Sequence, residues 1–148
     1  MADYFLERTK VARVMIEEMF KVKPGEIIAI TGDSGSDRDF ADALAAAAHA
    51  VGGLPLIMWT PKASQDGQAG INDWPAKALT AALCMVDVWI ELQSTIILYS
   101  HIWETAMAKN KKLRYLIIAD SSIQSLMRTF VGFDISTLEQ FLVKVKKM

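Results

Sequence analysis

The run Ile27-Ile28-Ala29-Ile30 carries no polar residue and stands between two stretches of helical periodicity. A strand with one wet face alternates apolar and polar side chains, whereas an unbroken apolar run belongs to a strand covered on both faces, as in parallel sheets. Before it, residues 4–22 read as a helix. Val11, Met15, Met19 and Val22 share one face, Glu17 and Lys21 pair four residues apart on another, and Lys23-Pro24-Gly25-Glu26 ends the element. After it, an alanine-rich helix runs from about Asp37 to Val51 with Phe40, Leu44, Ala47, Ala48 and Val51 on one face, and Gly52-Gly53 stop it.

The alternation continues along the chain. Leu54 to Trp59 reads as a second strand, and residues 60–73 as a loop without periodicity. A third helix opens at Trp74-Pro75 with Asn72 or Asp73 as its cap, and residues 86–90 form a third strand. A fourth helix is expected over Thr95 to Lys109, and a fourth strand over Leu113 to Ala119. Ser121 and Gln124, then Ser136 and Glu139, have capping-box spacing and open two last helices. Strands alternating with helices imply right-handed crossovers and a parallel sheet. The expectation is a single α/β domain over residues 1–148. It is a three-layer, Rossmann- or flavodoxin-like fold with about four parallel strands in the order 2-1-3-4.

Composition narrows the function classes. A chain of 148 residues makes one domain, and 16 Lys plus Arg against 17 Asp plus Glu leave no basic face for nucleic acid. One cysteine rules out a disulfide framework and suits a reducing compartment, so a cytoplasmic location is expected. The start has no signal-peptide pattern, and the most apolar stretch, 40–59, is broken by Asp42, His49, Gly52, Gly53 and Pro55. No membrane is expected as a partner. The apolar share, 52%, exceeds the usual 45–50%. On the expected fourth helix, Ile96 to Met107 leaves almost no polar side. That predicts an apolar surface around Tyr99, Ile102 and Trp103, covered by a second copy or by a further domain.

In an open parallel sheet, the ligand crevice lies beyond the carboxyl ends of the strands where the winding reverses. For order 2-1-3-4 that point falls between the first and third strands. Asp33, Ser34, Ser36 and Arg38 would line it on one side, Gln93 and Ser94 on the other. The 31–38 loop is no phosphate loop. Gly32 and Gly35 do not give the dinucleotide pattern, no Gly-Lys-Ser/Thr ending follows, and Asp33 and Asp37 would repel phosphate. A capping box between Ser36 and Asp39 is the plainer reading of the turn.

Metal and nucleophile constellations are thin. His101 and Glu104 share a helical face but make only two ligands, where catalytic zinc needs three and a water. A packed, hydrogen-bonded His101, an exposed His49 and a buried, inert Cys84 are expected. Lys109, Lys111, Lys112 and Arg114 follow the fourth helix, where cations complement its dipole. Arg128 is read as a surface arginine that leaves room for a ligand role.

Taken together, several segments resemble one metalloenzyme family. They are Val22-Lys23-Pro24-Gly25-Glu26 before an isoleucine strand, the alanine-rich helix ending in Gly52-Gly53, and Asp87-Val88-Trp89-Ile90. Tyr99 and Trp103, Arg114-Tyr115-Leu116, Ser125-Leu126-Met127-Arg128 and Phe133-Asp134 continue the pattern. The chain resembles the amino-terminal domain of the thermophilic-type leucyl aminopeptidases and of the related 2,5-dihydroxypyridine dioxygenases. The resemblance implies a domain that walls the substrate cleft, through loops 32–38 and 93–95 and the Met127-Arg128 segment. It places the divalent metal (zinc, cobalt or iron) in a carboxyl-terminal domain whose ligand motifs this sequence lacks. No catalytic residue, metal ligand or cofactor is therefore expected within the chain. Two readings remain open: a front domain active only with its other half, or a free-standing binding or assembly module.

Overall fold

A computed structural model describes residues 4–65, 67–119 and 121–147; Met1 to Asp3, Asp66, Asp120 and Met148 lie outside it. Four strands form one parallel sheet: β1 (Ile27–Asp33), β2 (Leu54–Thr60), β3 (Val88–Glu91) and β4 (Arg114–Ile117). Their order is β2-β1-β3-β4, the order expected from the sequence. The helices are α1 (Phe5–Arg13), α2 (Arg38–Ala50), α3 (Ala76–Leu83), α4 (His101–Lys109), α5 (Ile123–Leu126) and α6 (Ile135–Lys146).

Side-chain alternation sorts the sheet into two faces. Ile28, Ile30, Val88 and Ile90 point to a core shared with α1, α2 and α5 through Val11, Met15, Phe40, Leu44, Ile123 and Leu126. Ala29 and Trp89 point the other way, to Leu79 and Leu83 of α3 and to Ile102 and Ala106 of α4. Both faces are covered, which is why the strand sequences do not alternate. Gly52 takes φ +83°, the left-handed conformation that ends α2 and that a side chain would resist.

Several elements depart from the sequence expectation, each for a local reason. The first helix widens after α1 into a π-turn over Val14–Met19. Its Glu17 pairs back to Arg13 at 3.0 Å, and Lys21 pairs across to Glu139 of α6 at 2.8 Å, so Glu17 and Lys21 do not pair. The 60–73 segment holds a 3-10 stretch, Gly67–Asp73. Asp73 accepts from Ser64 instead of capping α3, whose start at Pro75 has no side-chain cap.

The other caps shift by one or two residues. Asp37, not Ser36, caps α2 by accepting from the Phe40 amide. Ser122, not Ser121, caps α5, and Asp134, not Ser136, caps α6. The largest departure is at the fourth helix, which starts at His101 and is capped by Ser100. Residues 95–100 are a loop with Tyr99 at φ +64°.

That shorter helix changes the surface. Ile102 is buried, and His101, Glu104 and Lys109 give α4 an ordinary wet side, so α4 is not apolar all round. His101 is exposed, not packed, His49 is exposed as expected, and Cys84 is half-buried. Tyr99 remains 71% exposed. The main exposed apolar face lies instead on α6, where Leu138, Phe141, Leu142 and Val145 recur at helical spacing. Arg114 does not answer a helix dipole; it pairs with Glu26 at 2.7 Å and donates to the Phe20 carbonyl. No helix among the described residues is long and apolar enough to cross a membrane.

Candidate functional site

The carboxyl ends of β1 and β3 lie side by side, with Thr31 opposite Glu91. Beyond them the chain turns sharply on both strands, and polar side chains are drawn into the turns. Asp33 is fully buried at the last position of β1. Its Oδ1 accepts from the Gly35 amide at 2.8 Å and from the Ser36 hydroxyl at 3.2 Å, while Ser36 Oγ accepts from the Asp33 amide at 3.0 Å. Ser36 Oγ also lies 3.2 Å from the Leu92 carbonyl, so one hydroxyl ties the two strand exits together.

A cleft of about 290 Å3 opens at this junction. Gly35, Ser36 and Asp37 form one wall, Leu92 and Ser94 a second, and Ser121 with Ser122 a third. Ser94 Oγ is buried with no partner among the described residues, as are Asp33 Oδ2 and Thr95 Oγ1. Buried polar atoms are normally hydrogen-bonded, and of these three residues Ser94 lines the cleft, so its hydroxyl is the one a small polar ligand can use.

The residues singled out in the sequence separate here. Asp33, Ser36 and Ser94 gather at the junction. Gln93 is buried beneath it and accepts from the Thr31 hydroxyl at 2.7 Å, which itself accepts from the Trp89 indole at 2.9 Å. Ser34 is exposed and accepts from the Lys62 amide. Arg38 turns outward, reaching Asp42 at 3.2 Å and stacking on Trp59 with 4.9 Å to the ring centre. Arg128 is exposed on the π-turn Met127–Val131 and does not line the cleft.

One pair escaped the sequence reading. Glu91, the last residue of β3, is fully buried on the α4 side. Its Oε1 accepts from the Ile97 amide at 2.5 Å, and its Oε2 accepts from the Tyr115 hydroxyl in a short hydrogen bond. Burial pushes the Glu91 carboxyl up to about 7 against the pull of those two donors. Burial, and the negative charge of Glu91, raise the Tyr115 phenol as well. Trp89 packs 4.5 Å from the Tyr115 ring, and Trp103 lies 6.3 Å from it. The sequence signal was present: an acid two residues after Trp89 on the same strand face has nowhere wet to go.

A larger depression, about 780 Å3, lies between α1 and α2. It is floored by Ala43, Ala46 and Ala50 and edged by Arg8 and Asp42, and no catalytic grouping faces it. Among the described residues no three His, Cys, Asp or Glu side chains are placed to hold a metal.

No family model and no curated protein sequence matches the chain. Solved structures that share its fold include the two that follow. The 2,5-dihydroxypyridine dioxygenase from Pseudomonas putida KT2440 superposes with a TM-score of 0.67 over 88% of this chain, at 15% identity. AmpT from Thermus thermophilus superposes with a TM-score of 0.55 over 86% of this chain, at 11% identity. The chain spans 38% and 42% of those two proteins. At such identities the likeness is one of fold. It supports the fold side of the resemblance noted in the sequence.

Proposed function

We propose that the chain is a substrate-cleft domain of a metal-dependent enzyme related to the leucyl aminopeptidases and 2,5-dihydroxypyridine dioxygenases. In this reading it supplies a polar wall and no reaction chemistry. The observation that carries the proposal is the junction of Asp33, Ser36 and Ser94 at the carboxyl ends of β1 and β3. This is the position where open parallel sheets bind ligands. The shared fold of a dioxygenase and of the peptidase-like AmpT supports it.

Among the described residues the donors do not fit a zinc, cobalt or iron centre, which needs three or more converging side chains. His49 on α2 and His101 on α4 are both exposed, on helices that cover opposite faces of the sheet. The metal and its chemistry are assigned to a further domain. Within this chain, Ser94 Oγ is the group best placed to hydrogen-bond a ligand's polar edge. Ser36 and Asp33 hold the wall in position.

The test is turnover by the purified chain supplied with Zn2+, Co2+ or Fe2+, on leucinamide and on 2,5-dihydroxypyridine. The expected result is none with either substrate. Turnover that follows the chain through purification, and that falls in a Ser94→Ala variant, would overturn the proposal.

A further inference from the structure

Glu91 is a sealed carboxylate whose two oxygens join different parts of the molecule. Oε1 holds the loop 92–100 through the Ile97 amide, and Oε2 holds β4 through Tyr115. That loop carries Leu92 and Ser94, one wall of the cleft. Its far end is kept in place by Ser100 and by a non-glycine residue, Tyr99, at positive φ. A backbone of that kind persists only where its surroundings hold it.

Among the described residues no cation pairs with Glu91. Arg114 on β4 is taken by Glu26, and Tyr99 on the loop is exposed; the other ionisable groups on the surrounding elements are Tyr115 on β4, Asp33 on β1, Asp73 on the 3-10 turn, Lys77 on α3, and His101, Glu104 and Lys109 on α4. Tyr115 alone bonds it. Asp33 is engaged by Gly35 and Ser36, and the remaining five are exposed.

We propose that Glu91 is a proton-operated latch for the cleft wall: protonated, it keeps loop 92–100 closed, and ionised, it favours an open loop in which the carboxylate reaches water. The protonated acid fits the sealed site without loss of contacts. Its carbonyl oxygen still accepts from Ile97, and its hydroxyl donates to the Tyr115 oxygen as that phenol rotates. The ionised form stays sealed only against the cost of burying a charge without a counter-ion. The tendency of the loop to open therefore grows as pH rises from the ordinary carboxyl range to about 7, and levels off above it. The latch gives the binding surface proposed above a pH dependence. Its movement is a property of the free chain and is measured without any ligand.

The experiment is amide hydrogen exchange at Ile97, corrected for the intrinsic pH dependence, with Ile30 in the middle of β1 as the marker of global unfolding. Ile97 is expected to exchange faster than Ile30, with an opening constant that rises at least about tenfold between pH 5.5 and 8. In Glu91→Gln, an isostere of the protonated acid, the constant is expected to stay level. In Tyr115→Phe the loss of a donor to the ionised form extends the rise to higher pH. A carbon-13 titration of the Glu91 carboxyl gives the midpoint independently. Exchange of Ile97 only at the Ile30 rate, an opening constant flat with pH, or the same rise in Glu91→Gln would each overturn the latch.

Discussion

Trp59 lies so close over Gly32 that a Cβ added to the glycine would come within 2.4 Å of the indole Cζ3. The two residues are register partners on β2 and β1. Arg38 covers the outer side of the ring, so the indole is held between a cation and a bare backbone. The close approach explains a glycine within a strand, one residue before the buried Asp33. Gly32→Ala is expected to cost about 1–3 kcal/mol by overpacking, read from the urea midpoint. A variant as stable as the parent would show that the ring moves aside freely.

The second expectation concerns pH and global stability. The Glu91 carboxyl is held near 7 in the folded chain, above its ordinary value of 4.5. Folding therefore favours the protonated form. That stabilisation is complete below the unfolded value and is lost as pH rises from about 4.5 to about 7. The loss is about 3 kcal/mol. Denaturant titrations across this range should show a decline in the parent and a flatter profile in Glu91→Gln. A parent whose stability climbs over the same window, with Glu91→Gln following it, would contradict the assignment.

Asp37 has two structural roles. It caps α2 through the Phe40 amide and accepts from the Arg8 guanidinium at 2.9 and 3.1 Å, joining α2 to α1. Asp37→Ala should lower stability by about 1–2 kcal/mol, and Asp39→Ala, which removes no cap, by much less. Equal losses in the two variants would return the cap to the residue pair expected from spacing alone.

Ser36→Ala removes the hydroxyl that ties the β1 exit to Leu92. The Asp33 carboxyl and the Leu92 carbonyl lose the single proton they share, and the Asp33 amide loses its acceptor, at about 1–3 kcal/mol. The structural consequence should be local. Amide shifts in a nitrogen-15 spectrum should move at Gly35 and at Leu92 to Ser94, and leave α3 and α6 unchanged.

The sheet was legible in the sequence because covered strands leave an unmistakable trace: Ile27 to Ile30 and Val88 to Ile90 have no wet side. The caps were harder. At Ser36-Asp37, Ser121-Ser122 and Asp134-Ile135-Ser136, two residues of cap type stand close together, and the capping-box spacing falls on the one that is not the cap. Only the backbone decides which one takes the extended conformation of a cap. The 95–100 segment reads as helix by its apolar residues. Its Ile97 amide is instead taken by a carboxylate six residues earlier, a tertiary contact that no local pattern contains. The candidate site was legible by position, through the rule of strand order. Arg38, chosen by its place in the loop after the first strand, and Arg128, chosen through the resemblance, lie away from it, the one stacked on Trp59 and the other exposed on the π-turn after α5.

The cleft at the carboxyl ends of β1 and β3 is the centre of the account, and chemical-shift mapping tests it most directly. The probes are 2,5-dihydroxypyridine and leucinamide, titrated separately into nitrogen-15-labelled chain. Shifts are expected from at least one probe, clustered at Gly35 to Asp37, Leu92 to Ser94 and Ser121 to Ser122, and diminished in Ser94→Ala. Shifts confined to the groove between α1 and α2, or none from either probe at millimolar concentration, would contradict it.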